Sequence, residues 1–144
     1  MLAFARTGLL IASLVFLSAC ASLNTTKAPD ADLSKIKTIY VQKLTGDEAD
    51  IDKLLVSRLN EMGYQATTGK EETPPAQVDA IVTYVDRWMW DLTMYMIRLT
   101  VQIRDGSSRA ILASAESYRP SLQRKSPEFM VKEVLEKIFQ KEQR

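Results

Sequence analysis

The strongest constraint on the fold is an alternation between residues 92 and 105. There Tyr95, Ile97, Leu99, Val101 and Ile103 fall on one side of an extended chain, and Arg98, Thr100, Gln102 and Arg104 fall on the other. A period of two with β-branched and aromatic residues predicts a strand with one face covered and one in water. Residues 79–88 and 110–118 have the same character, and Asp105-Gly106-Ser107-Ser108 supplies a hairpin turn between residues 92–105 and 110–118. A three-stranded antiparallel meander follows, and its apolar face needs a cover.

Two helical segments supply that cover. Ile51, Leu54, Leu55, Leu59 and Met62 recur at helical spacing, with acidic residues ahead of them and Gly63 at the expected C-terminal stop. Near the C-terminus Ser126-Pro127-Glu128 reads as an N-cap, a first-turn proline and a first-turn acid, and Val131, Val134, Leu135 and Ile138 continue the apolar stripe. Short strands are expected at Ile39 and Val41 and over residues 64–68, and a mobile loop over 67–77, where Gly69, Pro74 and Pro75 lie. The expected fold is α+β, in the order β-α-β-β-β-β-α. It is a mixed, mostly antiparallel sheet of four to five strands with two helices on one face, closed within residues 35–144.

The segment ahead of that domain reads as an address. Residues 1–19 hold one charged side chain, Arg6, and an apolar run from Gly8 to Leu17. About ten apolar residues are too few for a bilayer-spanning helix, which needs about 20, but they suit the core of a secretory signal peptide. Leu17-Ser18-Ala19-Cys20 then resembles the lipobox of bacterial lipoproteins. That resemblance implies cleavage before Cys20, a lipid on its sulfur and fatty acylation, palmitate included, of the new amine. Family members retained at the inner membrane usually carry Asp after the modified Cys. Ala21 stands there in this chain, which implies an outer-membrane destination with the domain in the periplasm. Residues 20–34 lack either periodicity and read as a flexible tether. As a random coil of about fourteen residues it spans roughly 20 Å, enough to lift the domain clear of the headgroups.

Composition narrows the chemistry. The chain has no histidine and one cysteine, which removes Ser-His and Cys-His nucleophiles, His-ligated metals and an internal disulfide. A net charge of +1, falling to zero once residues 1–19 are removed, gives no electrostatic footprint for nucleic acid. No cofactor is expected.

Four residues stand out as a partner surface: Trp88, Trp90, Met94 and Met96, in a segment holding both tryptophans and three of the six methionines. Such residues are enriched at interface centres, and they fill cores equally well, so both readings stand. With Tyr95 on the covered face, Met94 and Met96 are expected on the open one. Expected partners are the membrane, through Cys20, and an envelope protein, lipid or glycan. Other constellations are weaker. The acidic run 47–52 departs from a calcium loop, since Asp52 and Arg58 stand where Gly and Glu are needed, and it reads as acids at a helix start. Arg119, Arg124 and Lys125 read as solvated loop charges or an anion site ahead of the last helix. Asp86, Asp91 and Glu116 are the carboxylates available to a glycan- or lipid-cleaving enzyme.

Residues 79–91 and 120–131 also look like a group of uncharacterised Gram-negative lipoproteins, a likeness covering most of residues 35–140 and carrying no assigned activity. The order of elements is similar to small periplasmic lipoprotein domains in envelope assembly, including the lipopolysaccharide-assembly lipoprotein. The expectation drawn from all of this is a non-enzymatic binding or assembly module. The competing one is a carboxylate-dependent enzyme acting on envelope glycan or lipid.

Overall fold

A computed structural model describes residues 20–140, so the signal-peptide reading of residues 1–19 lies outside the described residues. The strands are β1 (Ser22–Lys27), β2 (Thr38–Gln42), β3 (Gln65–Gly69), β4 (Ala80–Asp91), β5 (Thr93–Asp105) and β6 (Ile111–Tyr118). The helices are α1 (Ile51–Glu61) and α2 (Pro127–Phe139), with single 3-10 turns at Leu33–Lys35 and Ser121–Gln123. All six strands form one sheet in the order β1-β6-β5-β4-β2-β3. β2 runs parallel to both β3 and β4, and the remaining pairs are antiparallel. The α+β class and mixed, mostly antiparallel sheet are those expected from the periodicities.

Both helices pack into one core. Leu55 and Leu59 of α1 and Val131, Val134 and Leu135 of α2 are buried against Ile39, Val82, Leu99, Val101 and Ile103 of the sheet. Ala113 and Ala115 of β6 lie in the same cluster, small enough for α2 to approach. Helix α1 ends in a paired cap: Gly63 takes φ +95° and donates to the Asn60 carbonyl, while the Tyr64 N–H donates to that of Leu59. The Ser126 hydroxyl accepts from the Phe129 N–H at 3.3 Å and starts α2.

Two expectations change. Part of the segment read as a tether is β1, which pairs with β6 from Ser22 opposite Tyr118 to Lys27 opposite Ala113. Its signal is weak because most of its side chains are exposed. The ladder, helped by the Thr25 hydroxyl on the Ser114 carbonyl at 3.0 Å, holds it with little apolar burial, so no alternation is written into the sequence. The start of the 67–77 loop is also pinned. Tyr40 and Ile81, neighbours across β2 and β4, are buried outside the main core, and the Tyr40 hydroxyl donates to the Glu71 carboxylate at 2.9 Å.

Candidate functional site

The feature that shapes the candidate site is a bulge in the β4–β5 hairpin. Arg87 pairs with Arg98 but Trp88 pairs with Met96, so Ile97 is an extra residue in β5. Its carbonyl instead accepts from the Arg119 N–H, just past β6, at 2.8 Å. One extra residue reverses the alternation. Before the bulge Leu99, Val101 and Ile103 face the helices; beyond it Met96 and Met94 take that side, directly opposite Trp88 and Trp90.

The four candidate residues therefore share one face, but burial separates them. Met96 is 1% exposed and belongs to the core, which corrects the expectation of an open-face residue. Trp88 is half-buried against the core, and its indole N–H donates to Asp86 Oδ2 at 2.6 Å. Trp90 and Met94 are 70% and 56% exposed. Leu92 and Met89, which residue-type enrichment had not separated out, are 90% and 48% exposed. Leu92 is the single residue between the paired Asp91 and Thr93, and it holds φ +59°, a conformation normally left to glycine or asparagine. An exposed leucine in that conformation adds little to the fold.

The loop after β6 buttresses this tip. Arg124 donates to the Asp91 carboxylate and carbonyl at 2.9 Å and to the Thr93 hydroxyl at 2.9 Å, while its guanidinium lies 4.1 Å from the Tyr95 ring centre. The Ser121 hydroxyl donates to the same carboxylate. These contacts, that of Ser121 foremost, hold the Asp91 carboxyl below the usual carboxylate range. Leu122, between them, is 82% exposed. The Ala21 N–H donates to Gln123 Oε1 at 3.3 Å, which sets the exposed Cys20 beside this loop.

The remaining candidates have local employment. Asp86 lies on the helix side of the sheet opposite Leu99, whereas Glu116 lies on the far side opposite Thr100, so these two do not converge, and Asp91 is held at the hairpin tip by Ser121 and Arg124. Arg119 is paired with Glu133, and Arg124 with Asp91. Lys125 lies 5.0 Å from the Phe129 ring centre. The three bases thus do not gather around an anion site.

In the 47–52 run, Asp47 accepts from the Tyr84 hydroxyl at 2.6 Å and from the N–H groups of Ala49 and Asp52. Burial alone would raise the Asp47 carboxyl, but these donors overrule it and hold it low. Burial, then the Asp47 carboxylate, pushes the Tyr84 hydroxyl up. Asp52 is buried between Lys43 and the Thr68 hydroxyl. A further network under α2 is not marked in the sequence: the fully buried Ser117 hydroxyl and Arg119 both donate to Glu133. Glu133 lies 16 and 14 positions from its two donors, so the network carries no local pattern.

No family model and no curated protein matches the sequence. Solved structures do match. PelC from Paraburkholderia phytofirmans, a dodecamer, is similar at 15% identity over 83% of this chain and 98% of its own, with a TM-score of 0.61. A variant of the same dodecamer gives 15%, 81%, 95% and 0.60. A PDZ domain protein from Parabacteroides distasonis shares 11% identity over 83% of this chain and 35% of its own, with a TM-score of 0.52. At these identities the likeness is one of fold. Among the described residues no helix is long and apolar enough to cross a membrane.

Proposed function

We propose that this chain is an outer-membrane-anchored periplasmic lipoprotein, held by acyl chains on Cys20 and working without catalysis as a binding or envelope-assembly module. The observation that carries the reading is Leu17-Ser18-Ala19-Cys20, whose Leu17 ends a ten-residue apolar run. Two or three acyl chains anchor stably where one holds only marginally, at about 0.8 kcal/mol per buried CH₂. The module reading is supported by the separation of Asp86 and Glu116 onto opposite faces and by the apolar hairpin tip. PelC lends precedent only for the fold.

The test is the intact mass of the wild type and Cys20→Ser, with labelled palmitate fed to the cells. The wild type is expected to lose residues 1–19 and carry label. Cys20→Ser is expected to take up none and to remain as precursor at the inner membrane or appear in the soluble periplasm. Equal labelling of the two removes the anchor assignment.

A further inference from the structure

From the position of Cys20 relative to the β4–β5 hairpin, we infer that the hairpin tip is a membrane-docking surface that rests in the lipid headgroup region beside the acyl anchor. This deepens the anchored-lipoprotein reading and rests on it.

The anchor and the tip lie at the same end of the sheet. Ser22 pairs with Tyr118, and Tyr118 with Arg98, so β1 begins in the row where β6 ends and β5 passes through. Beyond that row the β4–β5 hairpin continues without a flanking strand for five residues to Thr93, on the order of 15 Å at the rise of a strand. Cys20 is two residues beyond the row, a reach of at most about 7 Å. With Ala21 alone between Cys20 and β1, the tether that would have lifted the domain away is largely absent. An acyl chain on Cys20 therefore brings this end of the sheet to the headgroups, and the tip reaches past the level of the acylated sulfur.

What the tip presents is suited to that medium. Trp90, Leu92, Met94 and Leu122 are exposed and have no apolar cover from the fold. Tryptophan is favoured at the headgroup level, where its ring is buried and its N–H stays wet. The carboxylate at the tip, Asp91, is matched by the Arg124 guanidinium, which lowers the cost of moving it toward lipid. Behind them the exposed Lys125 has a flexible stem that can carry its ammonium to phosphate. A second anchoring element next to a covalent lipid acts at high effective concentration, so even a weak affinity orients the domain.

The experiment uses the full acylated chain, purified from membranes and reconstituted into phosphatidylethanolamine/phosphatidylglycerol vesicles. An environment-sensitive nitrobenzoxadiazole label is placed on Leu92→Cys or, in a second variant, Met94→Cys. Ser107→Cys, in the turn at the opposite end, serves as the reference. Acylation blocks the Cys20 sulfur, so each variant takes one label and the wild type takes none. Labels at 92 and 94 are expected to shift to the blue and brighten several-fold on vesicles, with quenching by nitroxide lipids labelled near the headgroup. The label at 107 is expected to stay aqueous. Aqueous emission at all three positions on acylated protein overturns the docking and leaves the anchor standing. A wild type that takes label and whose mass lacks acyl chains overturns the anchor and the docking with it. Shielding at 92 and 94 that nitroxide lipids do not quench, and that follows chain-to-chain crosslinking, assigns the tip to a second copy and overturns the inference.

Discussion

The two ends of the β4–β5 hairpin are made of the same kinds of residue and have opposite fates. At the base, Val82, Tyr84, Leu99, Val101 and Ile103 are closed under α1 and α2. At the tip, Trp90, Leu92 and Met94 continue the strands into solvent. The boundary is the Ile97 bulge, where β6 stops and beyond which the hairpin runs on without a flanking strand. Hydrophobicity therefore reports the need for a contact, and the neighbours decide whether the chain itself supplies it.

On the base side of the bulge, Leu99→Ala removes a fully buried side chain and is expected to cost about 2–5 kcal/mol by urea unfolding. A loss under about 1 kcal/mol would mean the base is not the core. At the boundary, Trp88→Ala loses half-buried packing and the bond to Asp86, and about 2 kcal/mol is expected, less than a fully buried tryptophan would lose. A cost equal to that of Leu99→Ala would move the boundary outward, and no cost would move it inward.

Tyr84→Phe strips one donor from the buried Asp47 and one acceptor from the Leu44 N–H, at an expected cost of about 1–2 kcal/mol. The folded state holds the Asp47 carboxyl below its ordinary value, so its contribution is present above about pH 4 and is lost as pH falls through the lower folded value. The gap between wild type and Tyr84→Phe is therefore expected to be widest above pH 4 and to narrow in acid. A gap that widens in acid would contradict the assignment. The smallest effect belongs to Leu92→Gly. Relief of the left-handed leucine, worth about 1–2 kcal/mol, is largely offset by the greater chain entropy of unfolded glycine. A thermal melt is expected to show unchanged or slightly raised stability, by about 0.5 kcal/mol.

The sequence made the base legible because alternation over residues 99–103 is enforced by burial on one face. Both helices were legible for the same reason, together with the Ser126 cap and Gly63. The tip was legible as a cluster of residue types and illegible in its facing, because the extra Ile97 reverses the alternation without breaking the run of strand-forming residues. β1 left little trace because its ladder is a backbone interaction. The polar networks of Asp47 with Tyr84 and of Ser117 with Glu133 join residues 37 and 16 positions apart, separations at which sequence carries no pattern.

The fold does not need the apolar tip. Urea unfolding of the combined Trp90→Ser, Leu92→Ser, Met94→Ser variant, beside wild type and Leu99→Ala, tests it directly. A loss of no more than about 1 kcal/mol is expected, the scale of exposed substitutions taken together. A loss as large as that of Leu99→Ala would place the tip in the core and contradict this.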